Sequence, residues 1–265
     1  MGFQLTSENY YSDIANYEYM SVSQFKDFAG TYGKLGCEEC AMAKIRGKYK
    51  EPDRTALLEG SYVDSFYEGT LDKFKHAELF RQDGELKANF IKAEKAIARS
   101  LRDPLFQEYM SGEKQVIMTG ELFGSKWKIK MDSYHPGRAI VDLKYMQSLT
   151  KFGYVPDIGY LDFVRYWGYD LQGAIYQEIV YQNTGKRLPF YIAGISKEEA
   201  MNIEVIYIHD NYLKEAMKVI ESRMPRILQV KYHGAKPDRC EQCIWCRDTK
   251  VLTKPIGIGD LTASL

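Results

Sequence analysis

The feature that most constrains the fold is a pair of stretches, 126–134 and 138–146, in which apolar and polar residues alternate. Successive side chains on a strand point to opposite faces, so this period of two predicts two half-buried strands. The turn sequence HPGR between them supplies proline and glycine. The two stretches therefore predict a β-hairpin with one apolar face and one charged face.

The rest of the chain changes period around this hairpin. Apolar residues recur at helical spacing in 21–30, 54–69 and 85–103, and again over about 160–183 and 211–230. Further strands are predicted at 114–124, 190–196 and 202–208. This order predicts an α/β fold in which a mixed central sheet is flanked by helices and preceded by an N-terminal helical extension.

Composition limits the domain number and the location of the protein. The 265 residues contain no internal repeat or long Pro/Gly/Ser linker, which predicts one domain over 1–265. Within it we expect a mainly helical part (1–110), a core (111–210) and a C-terminal helix with a cysteine-containing tail (211–265). No stretch resembles a membrane span or a signal peptide, so we expect a cytoplasmic protein.

Two acids and a lysine lie on the charged face of the predicted hairpin. A turn centred near residue 137 would place Asp132 opposite Asp142, with Lys144 one step further along the same face. Opposed like charges repel, and a divalent cation between them removes that repulsion. A lysine beside such a cation suits phosphodiester hydrolysis. A solvated strand face with cross-strand ion pairs is the alternative.

The predicted helix after the hairpin carries two stripes. One is apolar, while Arg165, Tyr169, Gln172 and Tyr176 recur at helical spacing on a second face. Hydrogen-bonding side chains in such a row could contact a nucleic-acid backbone or base. Packing of amphipathic tyrosines against neighbouring elements is the alternative.

Asp132, Asp142-Leu143-Lys144 and Gln172-Gly173-Ala174-Ile175-Tyr176 together resemble the PD-(D/E)XK nuclease superfamily, in its branch with a Q-x-x-x-Y motif. Within that branch the chain is similar to phage-type exonucleases related to the nuclease domain of exodeoxyribonuclease VIII (RecE). The resemblance extends over about residues 18–252. It implies a restriction-endonuclease-like core with a mixed central sheet.

The resemblance also implies roles for these residues. Asp132 and Asp142 would bind Mg²⁺ or Mn²⁺, and Lys144 would act on the nucleophilic water or the scissile phosphate. Gln172 and Tyr176 would help to hold the DNA and the active-site lysine.

Three positions depart from the family pattern or add to it. Relatives carry a histidine near the metal where this chain has Asp64, which would be a further metal ligand, directly or through water; an ordinary helix acid is the alternative. Glu113 is a weaker candidate ligand, and a plain surface role is the alternative. Tyr145 follows the D-x-K motif where the family often has threonine, so a hydroxyl there would reach phosphate with a different geometry.

Basic residues accumulate around the proposed site although the whole chain is neutral, with 36 basic and 36 acidic side chains. Such a local excess favours phosphate binding, whereas lysines that merely solvate exposed edges are the alternative. The predicted DNA contacts are Lys128, Lys130, Arg165 and Tyr169.

Five cysteines occur in two clusters, with Cys37 and Cys40 near the N-terminus and Cys240, Cys243 and Cys246 near the C-terminus. This spacing suits Zn²⁺ or an iron–sulfur cluster, and free reduced thiols are the alternative. In some Q-x-x-x-Y nucleases one N-terminal and three C-terminal cysteines hold a structural 4Fe-4S cluster. That resemblance implies Cys37, Cys240, Cys243 and Cys246 as ligands here.

The predicted function is a Mg²⁺-dependent exodeoxyribonuclease that acts on double-stranded DNA ends in a phage or prophage recombination system. The family resemblance further implies a single-strand annealing protein as partner and a homo-oligomer. Two alternatives stay open: a structure-selective endonuclease or repair nuclease, and a non-catalytic nucleic-acid-binding protein with the same fold.

Overall fold

The computed structural model describes residues 3–52, 55–74 and 77–259. The N-terminal part is helical, as predicted. Its helices are α1 (Asp13–Glu18), α2 (Val22–Ala29), α3 (Glu38–Ile45), α4 (Thr55–Tyr67), α5 (Ala88–Leu101) and α6 (Pro104–Tyr109), with 3₁₀ turns at Leu71–Lys73 and Ala77–Leu79. Within the described ranges, no helix combines the length and apolar character that a bilayer span requires.

The strands follow at residue 116. They are β1 (Val116–Leu122), β2 (Ser125–Met131), β3 (Ser133–His135), β4 (Ala139–Met146), β5 (Gly153–Val155), β6 (Gly159–Leu161), β7 (Phe190–Ser196) and β8 (Ile203–Tyr207). The remaining helices are α7 (Phe163–Tyr166), α8 (Tyr169–Thr184), α9 (Asp210–Tyr232) and α10 (Ile244–Asp248).

The central sheet has the strand order β3-β4-β7-β8. Strands β3 and β4 are antiparallel, β4 and β7 are parallel, and β7 and β8 are antiparallel. The sheet is therefore mixed, and helices cover both of its faces, as the sequence predicts.

The predicted hairpin of 126–134 with 138–146 is wrong for most of its first strand, because β2 pairs with β1 and only β3 pairs with β4. The apolar residues of β2 accordingly pack in a different cluster from Val141 and Leu143. A separate short hairpin, β5-β6, completes the strands.

Strand β4 separates two apolar clusters. Val141, Leu143 and Tyr145 pack with residues of α4 and α5 on one face of the sheet. Ile140 belongs to the cluster formed with α2, α8 and α9 on the opposite face. Because side chains alternate along a strand, Asp142 and Lys144 share the face of Ile140. The polar pair is thus held on the side of α8.

The prediction of one continuous helix over about 160–183 is wrong at its start. Residues 159–161 form β6, α7 is a separate four-residue helix, and α8 begins only after Gly168. Gly168 has a φ of 65°, a left-handed conformation that interrupts a right-handed helix. Residues before and after it do not share one helical face.

Candidate active site

A cavity of about 540 Å³ lies between the N-terminal helices and the central sheet. It brings together the predicted catalytic residues from separate elements, with Asp64 from α4 and further cationic and aromatic side chains around them. Its predicted members are Asp64, Lys128, Lys130, Asp132, Asp142, Lys144, Tyr169, Gln172 and Tyr176. The structure therefore places acids, cations and aromatic rings around one space.

Asp132 and Asp142 face each other across β3 and β4. The last regular pair is Ser133 with Val141, so the next step of the antiparallel register sets Asp132 opposite Asp142. Asp132 lies at the bend between β2 and β3, where its Oδ2 accepts a hydrogen bond of 2.8 Å from the backbone N–H of Leu143. This bond takes the place of a backbone partner and fixes the carboxylate at the cavity.

Lys144 is the cation closest to these acids. Its ammonium forms an ion pair with Oδ2 of Asp142 and lies 5.2 Å from the centre of the Tyr169 ring. Burial by itself would lower the pKa of Lys144, but the Asp142 carboxylate outweighs that effect and the pKa is raised. Lys144 is therefore held in its charged form.

Gln172 and Tyr176 on α8 contact the strands that carry the site. Nε2 of Gln172 donates a 2.6 Å hydrogen bond to Oδ1 of Asp142, and the Tyr176 hydroxyl donates to the Lys130 carbonyl at 3.0 Å. Helix α8 can approach the sheet because Gly173 has no side chain. A Cβ there would lie 2.7 Å from Cδ1 of Phe190.

Asp64 enters the same cavity from α4. Burial raises its pKa to about 7, although Lys144 lowers it, and the charge of Asp142 adds to the rise. The pKa of Asp132 is also raised well above its usual value. Burial is the largest cause, and repulsion by the charges of Asp142 and Asp64 adds to it. Such repulsion is what a bound divalent cation would relieve, so the donor set fits a hard metal ion.

Some predicted contacts do not reach this cavity or do not point freely into it. Glu113 is exposed and pairs through its backbone with Tyr134. Arg165 lies in α7, where its Nε donates a 2.6 Å bond to Asp162. Lys128 is only 1% exposed, and its ammonium donates to the Tyr10 carbonyl and the Asn16 side chain. The prediction that Lys128 lies on an open charged face is wrong because the N-terminal segment covers it.

Tyr145 lies on the opposite face of β4 from Lys144. It is 9% exposed and packs with the α4 and α5 cluster, with the Lys197 ammonium 4.7 Å from its ring centre. The Tyr145 hydroxyl therefore lies on the wrong face of β4 to reach a phosphate in the cavity.

Two side chains of the site had no signal in the sequence motifs. Gln115, just before β1, donates from Nε2 to Oδ1 of Asp132 at 3.4 Å, and its φ of 54° is unusual for a residue with a side chain. Lys26 on α2 lies in the cavity wall, with its ammonium 5.0 Å from the centre of the Tyr169 ring. Only the tertiary packing of α2 on α8 brings Lys26 here.

The two cysteine clusters meet in space. The sulfurs of Cys37, Cys240, Cys243 and Cys246 all lie within 4.8 Å of one another, and those of Cys37 and Cys246 are 3.4 Å apart. Among the described residues this is the one group of metal-ligating side chains that converges so closely. The fifth cysteine, Cys40, is outside the group. These thiols bring the start of α3 next to α10 and the segment before it.

The central mixed sheet, the opposed aspartates and the helix with Gln172 and Tyr176 define a PD-(D/E)XK-type fold. The chain belongs to the family described as a PDDEXK-like domain of unknown function (DUF3799), whose model matches residues 21–249. It is also similar to a crystal structure from Eubacterium rectale named a putative exonuclease. That protein is 64% identical, the match covers 100% of both chains, and the TM-score is 0.97. No curated protein matches the chain.

Proposed function

We propose that this protein is a metal-dependent deoxyribonuclease that hydrolyses phosphodiester bonds at the ends of duplex DNA. The observation that carries the proposal is the pair Asp132 and Asp142, opposed across β3 and β4, with Lys144 in ion-pair contact. The family match and the name of the similar crystal structure support the same chemistry.

Asp132, Asp142 and Asp64 would hold Mg²⁺ or Mn²⁺. Oδ2 of Asp142 is buried and forms an ion pair with the Lys144 ammonium. It accepts no hydrogen bond of normal geometry from any described residue. A bound cation would supply an activated water and neutralise charge on the phosphate. Carboxylate oxygens are the ligands that such hard cations prefer.

Lys144 would act as a charge on the phosphate rather than as a base. The Asp142 carboxylate outweighs the effect of burial and raises the pKa of Lys144, which favours the charged form of the side chain. A fixed ammonium beside the reacting phosphate stabilises the charge that develops there. Gln172 would hold the Asp142 carboxylate in place, and Tyr176 would fix the strand segment at Lys130.

The test compares linear and covalently closed circular duplex DNA of the same sequence in the presence of Mg²⁺. We expect the wild-type protein to degrade the linear form and to leave the closed circle intact, and we expect Lys144→Ala to degrade neither. Lys250→Ala is the matched control, because Asp248-Thr249-Lys250 repeats the D-x-K pattern outside the cavity.

Cleavage of the closed circle at the same rate would instead indicate an endonuclease. Equal activity of the wild type and Lys144→Ala would contradict the assignment of the site. A protein that binds DNA but never cleaves it, with either Mg²⁺ or Mn²⁺, would leave only a binding function.

For the thiols we propose one structural Zn²⁺ ion. Four thiolates around tetrahedral zinc, with Zn–S bonds of about 2.3 Å, lie about 3.8 Å apart. The spread of no more than 4.8 Å agrees better with one ion than with a 4Fe-4S cluster, whose own atoms would separate the sulfurs further. Metal analysis and a visible spectrum after anaerobic purification test this. One zinc per chain is expected, whereas a brown, iron-containing protein would favour the cluster.

The biological setting is proposed on the family resemblance. It suggests a phage or prophage recombination system, a single-strand annealing protein as partner and a homo-oligomer. Co-purification with such an annealing protein and light scattering of the purified nuclease would check the last two points.

A further inference from the structure

The wall of the cavity opposite the aspartates carries two more lysines, and they differ in how their charge is balanced. Lys44 on α3 is neutralised by Asp27 at 3.1 Å and Glu51 at 2.8 Å. Lys26 on α2 has no carboxylate within ion-pair distance among the described residues, and its ammonium lies 5.0 Å from the centre of the Tyr169 ring. Lys26 is thus a cation of the cavity wall that forms no direct ion pair with a described carboxylate, although Asp142 and Asp170 are near enough to influence its charge.

Lys26 and Lys144 lie on the same aromatic ring. Their ammonium nitrogens are 5.0 Å and 5.2 Å from the centre of the Tyr169 ring, so each lysine lies within cation–π distance of it. Burial first, and the charge of Lys144 second, lower the pKa of Lys26 to about 7, while Asp142 and Asp170 act to raise it. A cation that is desolvated and repelled in this way gains more from an incoming anion than an exposed lysine does.

The position of Lys26 relative to the site suggests which anion it meets. Lys144 already contacts Asp142 and would face the phosphate being cut. A nucleic-acid strand that enters the cavity carries further phosphates next to that one, and each can pair with a separate cation. Both ammoniums lie within 5.2 Å of the Tyr169 ring centre, so one strand that enters the cavity can contact both.

We propose that Lys26, together with the Tyr169 ring, forms a second phosphate subsite that binds a phosphate of the substrate strand next to the scissile one. This inference rests on the proposed nuclease function. Lys26 is a positioning residue in it, because it would hold the strand in register without contacting the reacting atoms. A plain packing role, in which the lysine only covers Tyr169, is the competing explanation.

The experiment measures the affinity for a short duplex oligonucleotide in EDTA, where metal-dependent cleavage does not occur, as a function of salt. Each phosphate contact contributes about −0.9 to the slope of log K against log[salt]. We expect Lys26→Met to reduce the slope by about one contact and the affinity by about tenfold. Lys26→Arg keeps the charge and should restore both.

Lys34→Met is the matched control, because Lys34 is exposed, is paired with Asp27 at 2.7 Å and lies outside the cavity wall. Its slope should equal that of the wild type. In Mg²⁺, Lys26→Met should raise KM about tenfold with a much smaller change in kcat.

The two proposals fail separately. A wild-type protein that cleaves DNA, with Lys26→Met showing the wild-type slope and KM, would overturn the subsite and leave the nuclease standing. A wild-type protein that never cleaves, but in which Lys26→Met still changes the slope, would overturn the nuclease and retain the phosphate contact. Circular dichroism of each variant confirms that the fold is kept.

Discussion

The carboxylates of the cavity and the four thiols near the chain ends are both candidate metal sites, and they are built differently. The thiols of Cys37, Cys240, Cys243 and Cys246 converge within 4.8 Å, whereas the three carboxylates are not gathered so closely. The thiols are bound mainly to one another and to backbone N–H groups. The carboxylates are instead held by a lysine, a glutamine and a backbone N–H group.

Those other groups explain the difference. Asp142 is held by Lys144 and Gln172, and Asp132 by the backbone of Leu143. Each of these partners keeps a carboxylate in place without a metal, and Lys144 would compete with a bound cation for Asp142. The thiol group thus fits a metal that stays bound and joins remote segments, while the carboxylate group fits a metal that exchanges during turnover.

The largest expected effect separates the two sites through the carboxylates. Asp132→Asn or Asp142→Asn should reduce Mg²⁺-dependent cleavage of linear duplex DNA by about 10³-fold or more, because several kcal/mol of metal-derived transition-state stabilisation are lost. Metal bound at the thiols should not change. Kinetic assays and metal analysis on the same samples measure both.

Asp248→Asn is the control for this prediction, since Asp248 lies in the second D-x-K sequence and is exposed. It should cleave like the wild type. Cleavage by Asp132→Asn at the wild-type rate would mean that the opposed aspartates do not hold the catalytic metal.

The second prediction breaks the thiol site. Cys243→Ser should lower the zinc content and lower Tm by about 10 °C, as expected for the loss of about 3 kcal/mol in a chain of this size. Cleavage well below the new Tm should remain near the wild-type level, because no thiol lines the cavity. Differential scanning calorimetry and metal analysis provide the measurements.

Cys40→Ser is the matched control, as Cys40 lies on α3 beside the thiol group but outside it. It should keep the metal and the Tm. Loss of cleavage in a folded Cys243→Ser protein would show that the thiol site is not purely structural.

The third prediction tests the competition at Asp142. Lys144→Met removes the ammonium that contacts Asp142, so we expect about tenfold tighter Mn²⁺ binding at the carboxylates together with the loss of cleavage. Isothermal titration of the metal-free protein measures the affinity. Weaker Mn²⁺ binding would indicate that Lys144 orders the carboxylates for the metal instead of competing with it.

Much of the active-site strand pair follows from the sequence, because local rules decide it. Alternation predicts β4 and its faces, and the HPGR turn predicts the pairing of β3 with β4, whose register continued by one step sets Asp132 opposite Asp142. The pairing of β2 with β1 instead of β4 does not follow from alternation. The fold class is likewise confirmed by the structure and the family match. The thiol set predicted by resemblance also converges, while the metal itself stays a prediction.

Local rules fail where remote segments decide the environment. The apolar stripe continues across Gly168, so periodicity alone predicts one helix where the backbone forms two. Lys128 alternates like its exposed neighbour Lys126, and only the Tyr10 carbonyl and Asn16, more than a hundred residues away, explain how its charge is buried. Lys26 gives no motif signal for the same reason.

The smallest expected effect concerns Asp64 and pH. Because burial raises its folded pKa to about 7, the folded protein retains this proton at pH values where the unfolded chain has lost it. The resulting stabilisation is complete below the unfolded pKa of about 4 and is lost as pH rises through about 7. In EDTA at pH 8, Asp64→Asn should therefore have a Tm higher than the wild type by about 3 °C, and the difference should vanish near pH 4. The exposed Asp72→Asn variant should show no such difference.

Mg²⁺ at pH 8 should raise the Tm of the wild type more than that of Asp64→Asn, since a cation bound by the carboxylates relieves the repulsion that the substitution has already reduced. An equal response of the two proteins to Mg²⁺ would place Asp64 outside the metal's coordination sphere.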